Sequence, residues 1–447
     1  MNILLLGKYP PIEGGVSAYT FWMARALAGQ GHAVRIATNA GEVEPTLSQL
    51  HYHDDHSWLE GDGVSGGPRI YQTTALSPSS FIPFAQPYVT KLFGLSLSIL
   101  EEAPCDVILS WYFEPYGFAA ALVGKATGLP FVIRHAGSDL GRLSQHPDLK
   151  AAYQWALETA SGLIVTNERE FERRFGSVAP PRIRPTLPSL PDIFSSPSVA
   201  LDVPELLEAS DRWFSEAGLP GALLQAVRGI NAKTFTGKIF TIGTYGKVGV
   251  TKGSFDLIEA LSKVAETGTE FSFLTLSCGH PETLAAYYDA IAGSRALAER
   301  TWILPPVAPW RVPSFLRCCN AVCFLERDFP IAFHGPQVPR EVLSSGACLV
   351  CSGEVARKPF YGGHLVDDRN AIIVDDPKDH DSLALRLLAL IGDQDRTWSI
   401  GRQGQRLAEF WDQELPCFDD AVASLFTDIE RTLAASTSGR RPPPAVS

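Results

Sequence analysis

Residues 329–350, FPIAFHGPQVPREVLSSGACLV, carry a loop, a short helix and a strand in quick succession. The loop holds Gly335 and two prolines, and the spacing predicts a helix from about Pro339 to Ser345. Proline at a helix start forfeits no hydrogen bond, because that N–H has no partner inside the helix. Gly346 follows the last turn, the usual place for a glycine stop. ACLV then reads as a buried strand. The free N–H groups at the helix start, with Arg340 and Glu341 in the first turn, make a ready anion site. Taken alone, the stretch also reads as an ordinary loop-to-helix connection.

Its surroundings repeat the same alternation. KIFTIG from Lys238, FSFLTLS, TWIL and NAVCFLE read as strands before it, and AIIVDD from Ala371 as one after it. Helices are expected at 254–267, 281–297, 309–319 and 382–391. The first half follows suit, with strands NILLLG, HAVRIAT from His32, CDVILSWYF, FVIRH from Phe131 and GLIVTN from Gly162. Helices fall at 16–30, 88–102, 117–127 and 148–160. In the first of these Val16, Tyr19, Met23, Ala26 and Leu27 share one face. Apolar strands without alternation, separated by helices, imply doubly wound parallel sheets. The pattern breaks at 176–235, where PPRIRPTLPSLPDIFSSPS has the composition of an inter-domain crossing.

The expected division is a first α/β domain at 1–190, a crossing with a helical insertion at 191–236, and a second α/β domain at 237–412. A C-terminal helix at 413–436 returns to the first domain, and a proline-rich tail at 437–447 is disordered.

With 447 residues, 45% hydrophobic and 19% charged, the composition is that of a globular protein of more than one domain. A net charge of −11 excludes nucleic acid as the main partner, since phosphate binding needs a basic field. It also gives no support to peripheral membrane contact. The start, MNILLLGKYPP, lacks a basic n-region, and no apolar run is long enough for a transmembrane segment. A cytoplasmic location is the expectation. Eight scattered cysteines fit reduced thiols rather than a disulfide framework. Cys348 and Cys351, three apart on a strand, face opposite sides and share no metal. HYHDDH, residues 51–56, has metal-ligand chemistry without a fixed spacing and reads as an exposed loop.

In open α/β sheets, ligands bind at the C-terminal ends of the strands. The first loop there in the second domain is IGTYGKVGVTKGS, residues 242–254. Its glycines allow close backbone approach, and Lys247 and Lys252 precede a helix start, which suits a diphosphate. A flexible solvated loop is the other reading. The loop matches neither a P-loop nor GxGxxG, so ATP hydrolysis and NAD binding lack support.

Together these segments resemble the GT-B glycosyltransferases, in particular the large retaining family 4 (group 1). GGVSAY followed by ALAGQGHAVRIAT, IRHAGSDL at 133–140, ASGLIVTNERE from Ala160, GKVGVTKG, PREVLSSGACLVCSGEV and LVDDRNAIIVDDPKDHDSLALRLLALI carry the likeness. It spans about 1–170 and 238–410. The resemblance implies two Rossmann-like domains facing a cleft, and transfer of a sugar from a nucleoside-diphosphate sugar to an acceptor, with retention. It implies no cofactor and no metal, the nucleotide sugar being a co-substrate and the acceptor unknown. Donor binding falls to Gly14, Gly15, Gly243, Gly246, Lys247, Lys252, Gly279, Val307, His334, Gly335, Val338 and Glu341. Lys247, Lys252, His135 and Asp139 are the candidate catalytic residues, with His135 equally readable as a satisfied core histidine.

Two positions depart from the family pattern. Lys247 stands where arginine is usual, keeping the charge without the bidentate fork. Phe333 stands eight residues before Glu341, where the family carries a second acid; Glu326 and Asp328 lie further upstream. That departure keeps two rivals open, a GT-B-like binding or scaffold subunit without catalysis, and an epimerase or phosphorylase on the same fold.

Overall fold

The computed structural model describes residues 1–60, 67–76, 87–196, 200–331 and 333–438. Most of the expected disordered tail lies outside these residues; its first two close the last helix.

Two parallel sheets form the frame. The first contains β1 (Asn2–Gly7), β2 (Ala33–Thr38), β3 (Arg69–Gln72), β4 (Val107–Trp111), β5 (Phe131–Arg134), β6 (Gly162–Ile164) and β7 (Arg182–Ile183), in the order β3-β2-β1-β4-β5-β6-β7. The second contains β8 (Thr241–Lys247), β9 (Ser272–Cys278), β10 (Thr301–Leu304), β11 (Ala321–Phe324), β12 (Cys348–Ser352) and β13 (Ile372–Val374), in the order β10-β9-β8-β11-β12-β13. In each sheet the order reverses beside the first strand, between β1 and β4 and between β8 and β11. Loops at such switch points diverge and leave room for a ligand.

The strands are apolar because helices cover both faces. Ile3, Leu4, Leu5 and Leu6 of β1 are all fully buried. Alternate residues enter separate cores, Leu4 and Leu6 on one face, Ile3 and Leu5 on the other. On the second face helix Gly15–Gly29 meets the C-terminal helix Phe418–Ser438, which contributes Phe418, Val422, Leu425, Phe426 and Ile429. The last described helix therefore packs on the domain that opens the chain. The two crossings run side by side, Ser189 N–H donating to the Pro416 carbonyl at 2.9 Å.

Several expectations need correction. Helices Val203–Glu216 and Gly221–Asn231 are not an insertion between domains. Trp213, Phe214, Leu223, Val227 and Ile230 join the core of the second sheet. The helix expected over 281–297 breaks at Ser294. That over 309–319 is a 3-10 turn and the short helix Val312–Leu316, because Pro309 and Pro313 each open a new turn. Helix Gln394–Glu414, absent from the sequence reading, is capped by Asp393, whose carboxylate accepts the Arg396 N–H at 3.0 Å. It packs against helix Val338–Ser345 through glycines: a Cβ at Gly404 would lie 2.7 Å from Leu343 Cδ2.

HYHDDH is not an exposed loop either. Residues 45–59 strap the first domain to the second. Leu50 N–H donates to Pro306 O at 2.8 Å, and Trp213 Nε1–H to Ser48 O at 2.8 Å. Asp55 is fully buried and accepts from Trp310 Nε1 at 2.7 Å and Arg311 Nε at 3.0 Å. His53 and His56 face solvent. Among the described residues no three His, Cys, Asp or Glu side chains converge as a metal site, and no helix is long and apolar enough to cross a membrane. All eight cysteines are free.

Candidate active site

The C-terminal ends of β1 and β8 meet across the inter-domain boundary. After β1 the chain turns through Lys8 and two prolines to Gly14, whose φ of 132° favours glycine. Gly15 then opens helix Gly15–Gly29 and is exposed. A Cβ on Gly14 would lie 3.9 Å from Lys247 Nζ, so this loop faces the end of β8 directly.

β8 runs through Lys247, which places two of the proposed loop glycines inside the strand. Gly243 serves packing and not ligand approach, because a Cβ there would meet Cys319 Sγ at 2.4 Å. Gly246, with φ 102° and open space around it, turns the strand end outward. The loop then forms the 3-10 turn Val250–Lys252 and enters helix Ser254–Glu266 through Gly253. Gly253 has φ 68° and presses on the Leu325 carbonyl, where a Cβ would come within 2.3 Å. That contact sets Lys252 beside the end of β11.

There Lys252 meets Glu326. The Glu326 side chain is fully buried and lies 2.5 Å from Lys252 Nζ, 3.5 Å from His334 Nε2 and 3.6 Å from Lys358 Nζ. Burial alone pushes its carboxyl up, but His334 and Lys252 outweigh that and hold it below the ordinary range. Lys252 Nζ also sits 4.2 Å from the centroid of the Phe329 ring, on which the His334 ring packs at 4.6 Å. An acid is thus present, supplied by the residue two past β11. Phe333, at the position of the family acid, packs instead against the first domain's core.

Helix Val338–Ser345 begins with Pro339 in its first turn and ends at Gly346, φ 80°. Glu341 bonds the Tyr245 hydroxyl. Burial, reinforced by the charge of Glu13, raises its carboxyl to about 7. Glu13, also pushed up by burial, accepts from Gln49 Nε2 at 2.8 Å on the strap. Arg340 turns the other way, donating to the Pro188 carbonyl at 2.9 Å in the domain crossing. Gly335 is exposed and Val338 partly buried at the mouth of this helix.

Gly279 and Val307 lie beneath the strap. Gly279 N–H donates to Thr46 O at 3.1 Å, and buried Val307 bridges Leu50. His135 and Asp139 do not reach across the boundary. His135 is 2% exposed; its Nε2 accepts the Thr166 N–H at 3.1 Å, and its ring lies along Phe171. Burial lowers it to about 4, so it is neutral near pH 7. Asp139, fully buried, accepts main-chain N–H groups from Phe113 (2.9 Å), Ala136 (2.8 Å) and Leu140 (2.6 Å). Desolvation still raises it to about 7. Both side chains shape the loop after β5.

The sequence alone assigns no role to Lys8, Glu13 or Tyr245. Lys8 follows β1 at its C-terminal end, a position recognisable from the strand prediction alone. Tyr245 and Glu13 carry no such signal, since their roles arise from contacts with Glu341 and the strap.

A family model described as a glycosyl transferase 4-like domain matches residues 14–186. No curated protein matches the sequence. Among solved structures the chain is similar to sucrose-phosphate synthase from Thermosynechococcus elongatus, with TM-score 0.61, 14% identity and coverage of 97% of this chain and 100% of that one. Anabaena HepE in complex with UDP-glucose gives 0.60 at 16% identity, covering 97% and 100%. WaaG, a glycosyltransferase involved in lipopolysaccharide biosynthesis, gives 0.58 at 14%, covering 95% and 99%. At these identities the likeness is one of fold, and it extends over both domains. The chain therefore has a GT-B architecture throughout, and its residues 14–186 match a glycosyl transferase 4-like domain.

Proposed function

We propose that the protein transfers a sugar, with retention, from a nucleoside-diphosphate sugar to a hydroxyl acceptor in the synthesis of a glycan, glycoconjugate or glycosylated metabolite. The observation that carries this reading is the approach of Gly14 to Lys247 across the domain boundary, with Lys252 on the adjoining loop and Glu341 in the first turn of helix Val338–Ser345. Anabaena HepE is known in complex with UDP-glucose and with UDP, which supports a nucleotide sugar as the donor.

In this reading negative charge grows on the departing β-phosphate. Lys247, Lys252 and the N–H groups opening helix Val338–Ser345 stabilise it, as preorganised donors do in a site shielded from water. Glu326 fixes the Lys252 ammonium in place. Glu341 accepts from the ribose hydroxyls once ionised, exchanging the Tyr245 contact for the ligand's. Gly14 and Gly15 let the first domain's loop lie against the diphosphate, and Gly246, Gly335, His334 and Val338 border the same space. Gly279 and Val307 act by holding the strap beside the nucleotide, through Thr46 and Leu50. The departing phosphate takes the acceptor's proton, so no protein base is required, and His135 and Asp139 act by holding the loop after β5. No metal or cofactor takes part. Free, mostly buried thiols suit a cytoplasmic site of action.

The test is a thermal-shift screen of UDP-, GDP-, ADP- and dTDP-sugars. A true donor at about 100 times its Kd stabilises by roughly 2.7 kcal/mol. No shift with any of them would remove the donor assignment.

A further inference from the structure

The diphosphate reading employs the cations of the second domain and leaves two on the first domain's side without a task. Lys8 follows Gly7, whose register partner is Trp111, and Trp111 pairs in turn with Arg134. Lys8 and Tyr112 therefore stand together one residue beyond the sheet edge, and Lys8 Nζ lies 4.7 Å from the Tyr112 ring centroid. The Tyr112 hydroxyl bonds Ser138 Oγ at 2.8 Å, in the short helix Gly137–Gly141 that leads into Arg142. The second domain closes over that helix, for a Cβ on Gly141 would lie 3.0 Å from Ile331 Cγ1.

Among the described residues neither Lys8 nor Arg142 forms an ion pair. Besides burial, Lys8 feels the like charges of Lys247 and Arg142, and the acid opposing them is Asp139, whose oxygens are occupied by main-chain N–H groups. Desolvation and Lys247 together bring Lys8 down to about 8. Lys8 is partly buried at the sheet edge without a free counter-charge, an electrostatic cost that an arriving anion removes, and exposed Arg142 at the end of the neighbouring helix adds to the same positive field.

We propose that the acceptor carries an anionic group, a phosphate or a carboxylate, held by Lys8 and Arg142 beside the hydroxyls of Tyr112 and Ser138. This rests on the transferase reading, since it assigns the acceptor half of the same cleft. It gives the protein a preference between otherwise identical hydroxyl compounds, favouring the charged one.

The experiment measures binding, with and without saturating UDP, of inorganic phosphate, glucose 6-phosphate, glucuronate and uncharged glucose to the full chain. The anionic probes are expected to raise the melting temperature and glucose to leave it unchanged; phosphate against glucuronate tells which anion is preferred. Lys8→Met keeps the stem over Tyr112, and Arg142→Gln keeps the length; each weakens the anionic probes about tenfold or more, as loss of a charge-assisted bond does. Affinity for UDP falls by less than that for the probes, since Lys8 meets the donor site only through the charge of Lys247. The proposal is overturned if no anionic probe binds the wild type, or if binding survives both substitutions. It is equally overturned if Lys8→Met weakens UDP as much as the probes, for Lys8 then serves the donor. Failure of UDP to bind the wild type counts against the donor reading alone, and the anion arm is still read on the free protein.

Discussion

Glu326 is fully buried, and its charge is tolerable only because Lys252, Lys358 and His334 surround it. Lys358 is itself 3% exposed, with Glu354 at 3.2 Å as its other partner. Glu326→Leu should therefore cost about 3–5 kcal/mol, the usual result of breaking a buried pair from one side, measurable by guanidinium unfolding. Glu326→Gln should cost less yet weaken nucleotide binding, because Lys252 loses its anchor; unchanged affinity would detach Lys252 from the site. This carboxylate could not be placed by counting. The family spacing points eight residues before Glu341, to Phe333, while the chain delivers the acid directly from the end of β11. Glu341 makes a second prediction. Its folded value near 7 lies above the ordinary 4.5, so the folded protein holds a proton that the unfolded chain releases across that window. Stability of the free protein should fall as pH rises through about 4.5 to 7, and Glu341→Gln should remove part of the fall. Ribose hydroxyls bind best to the ionised carboxylate. UDP affinity should accordingly rise from about pH 6 to 8 in the wild type, and the rise should be smaller in Glu341→Gln, where only the phosphate's own ionisation is left to drive it.

Between β8 and the following helix, one glycine sets the position of a charge. Gly253→Ala forces a side chain into the left-handed region and against the Leu325 carbonyl. The backbone strain alone is about 1–3 kcal/mol. Relief of the clash moves Lys252 off Glu326, so titration calorimetry should show weaker UDP binding than the stability loss alone explains. The helices and strands around this loop were readable because each buries its own apolar face locally. Helix Gln394–Glu414 was not, since Gly401 and Gly404 stand between Ile400 and Ala408 on its buried face, and glycines at the close approach dilute the hydrophobic period. The strap at 45–59 was unreadable for a different reason. Its partners, Pro306, Trp310 and Arg311, belong to the other domain, and a polar sequence such as HYHDDH looks solvent-exposed until that domain is present.

The same strap bears on how the two domains move. Domain closure over a nucleotide is the common expectation for a cleft between two α/β units. Here Trp310 of the second domain is seated between Phe21, at 4.7 Å, and Trp58, stacked at 5.8 Å, and its indole N–H is held by Asp55. Arg311 adds ion pairs of 2.9 Å to both Asp54 and Asp55. These contacts lie on the β1–β2 side of the first domain, while the chain crossings at Ser189 and Pro416 join the domains elsewhere. A body joined at two separate places has less freedom to hinge about either one. The free protein should therefore already hold its closed arrangement, with a radius of gyration by small-angle scattering that UDP leaves unchanged. Replacing Asp55 by Ala together with Trp310 by Ala releases the strap end while the crossings remain. The radius of the free form should then increase and contract again on adding UDP. Nucleotide affinity should fall in the same variant, because binding must then supply the ordering that the latch provides in the wild type. Equal contraction of wild type and variant on UDP addition would show that the strap does not restrain the domains.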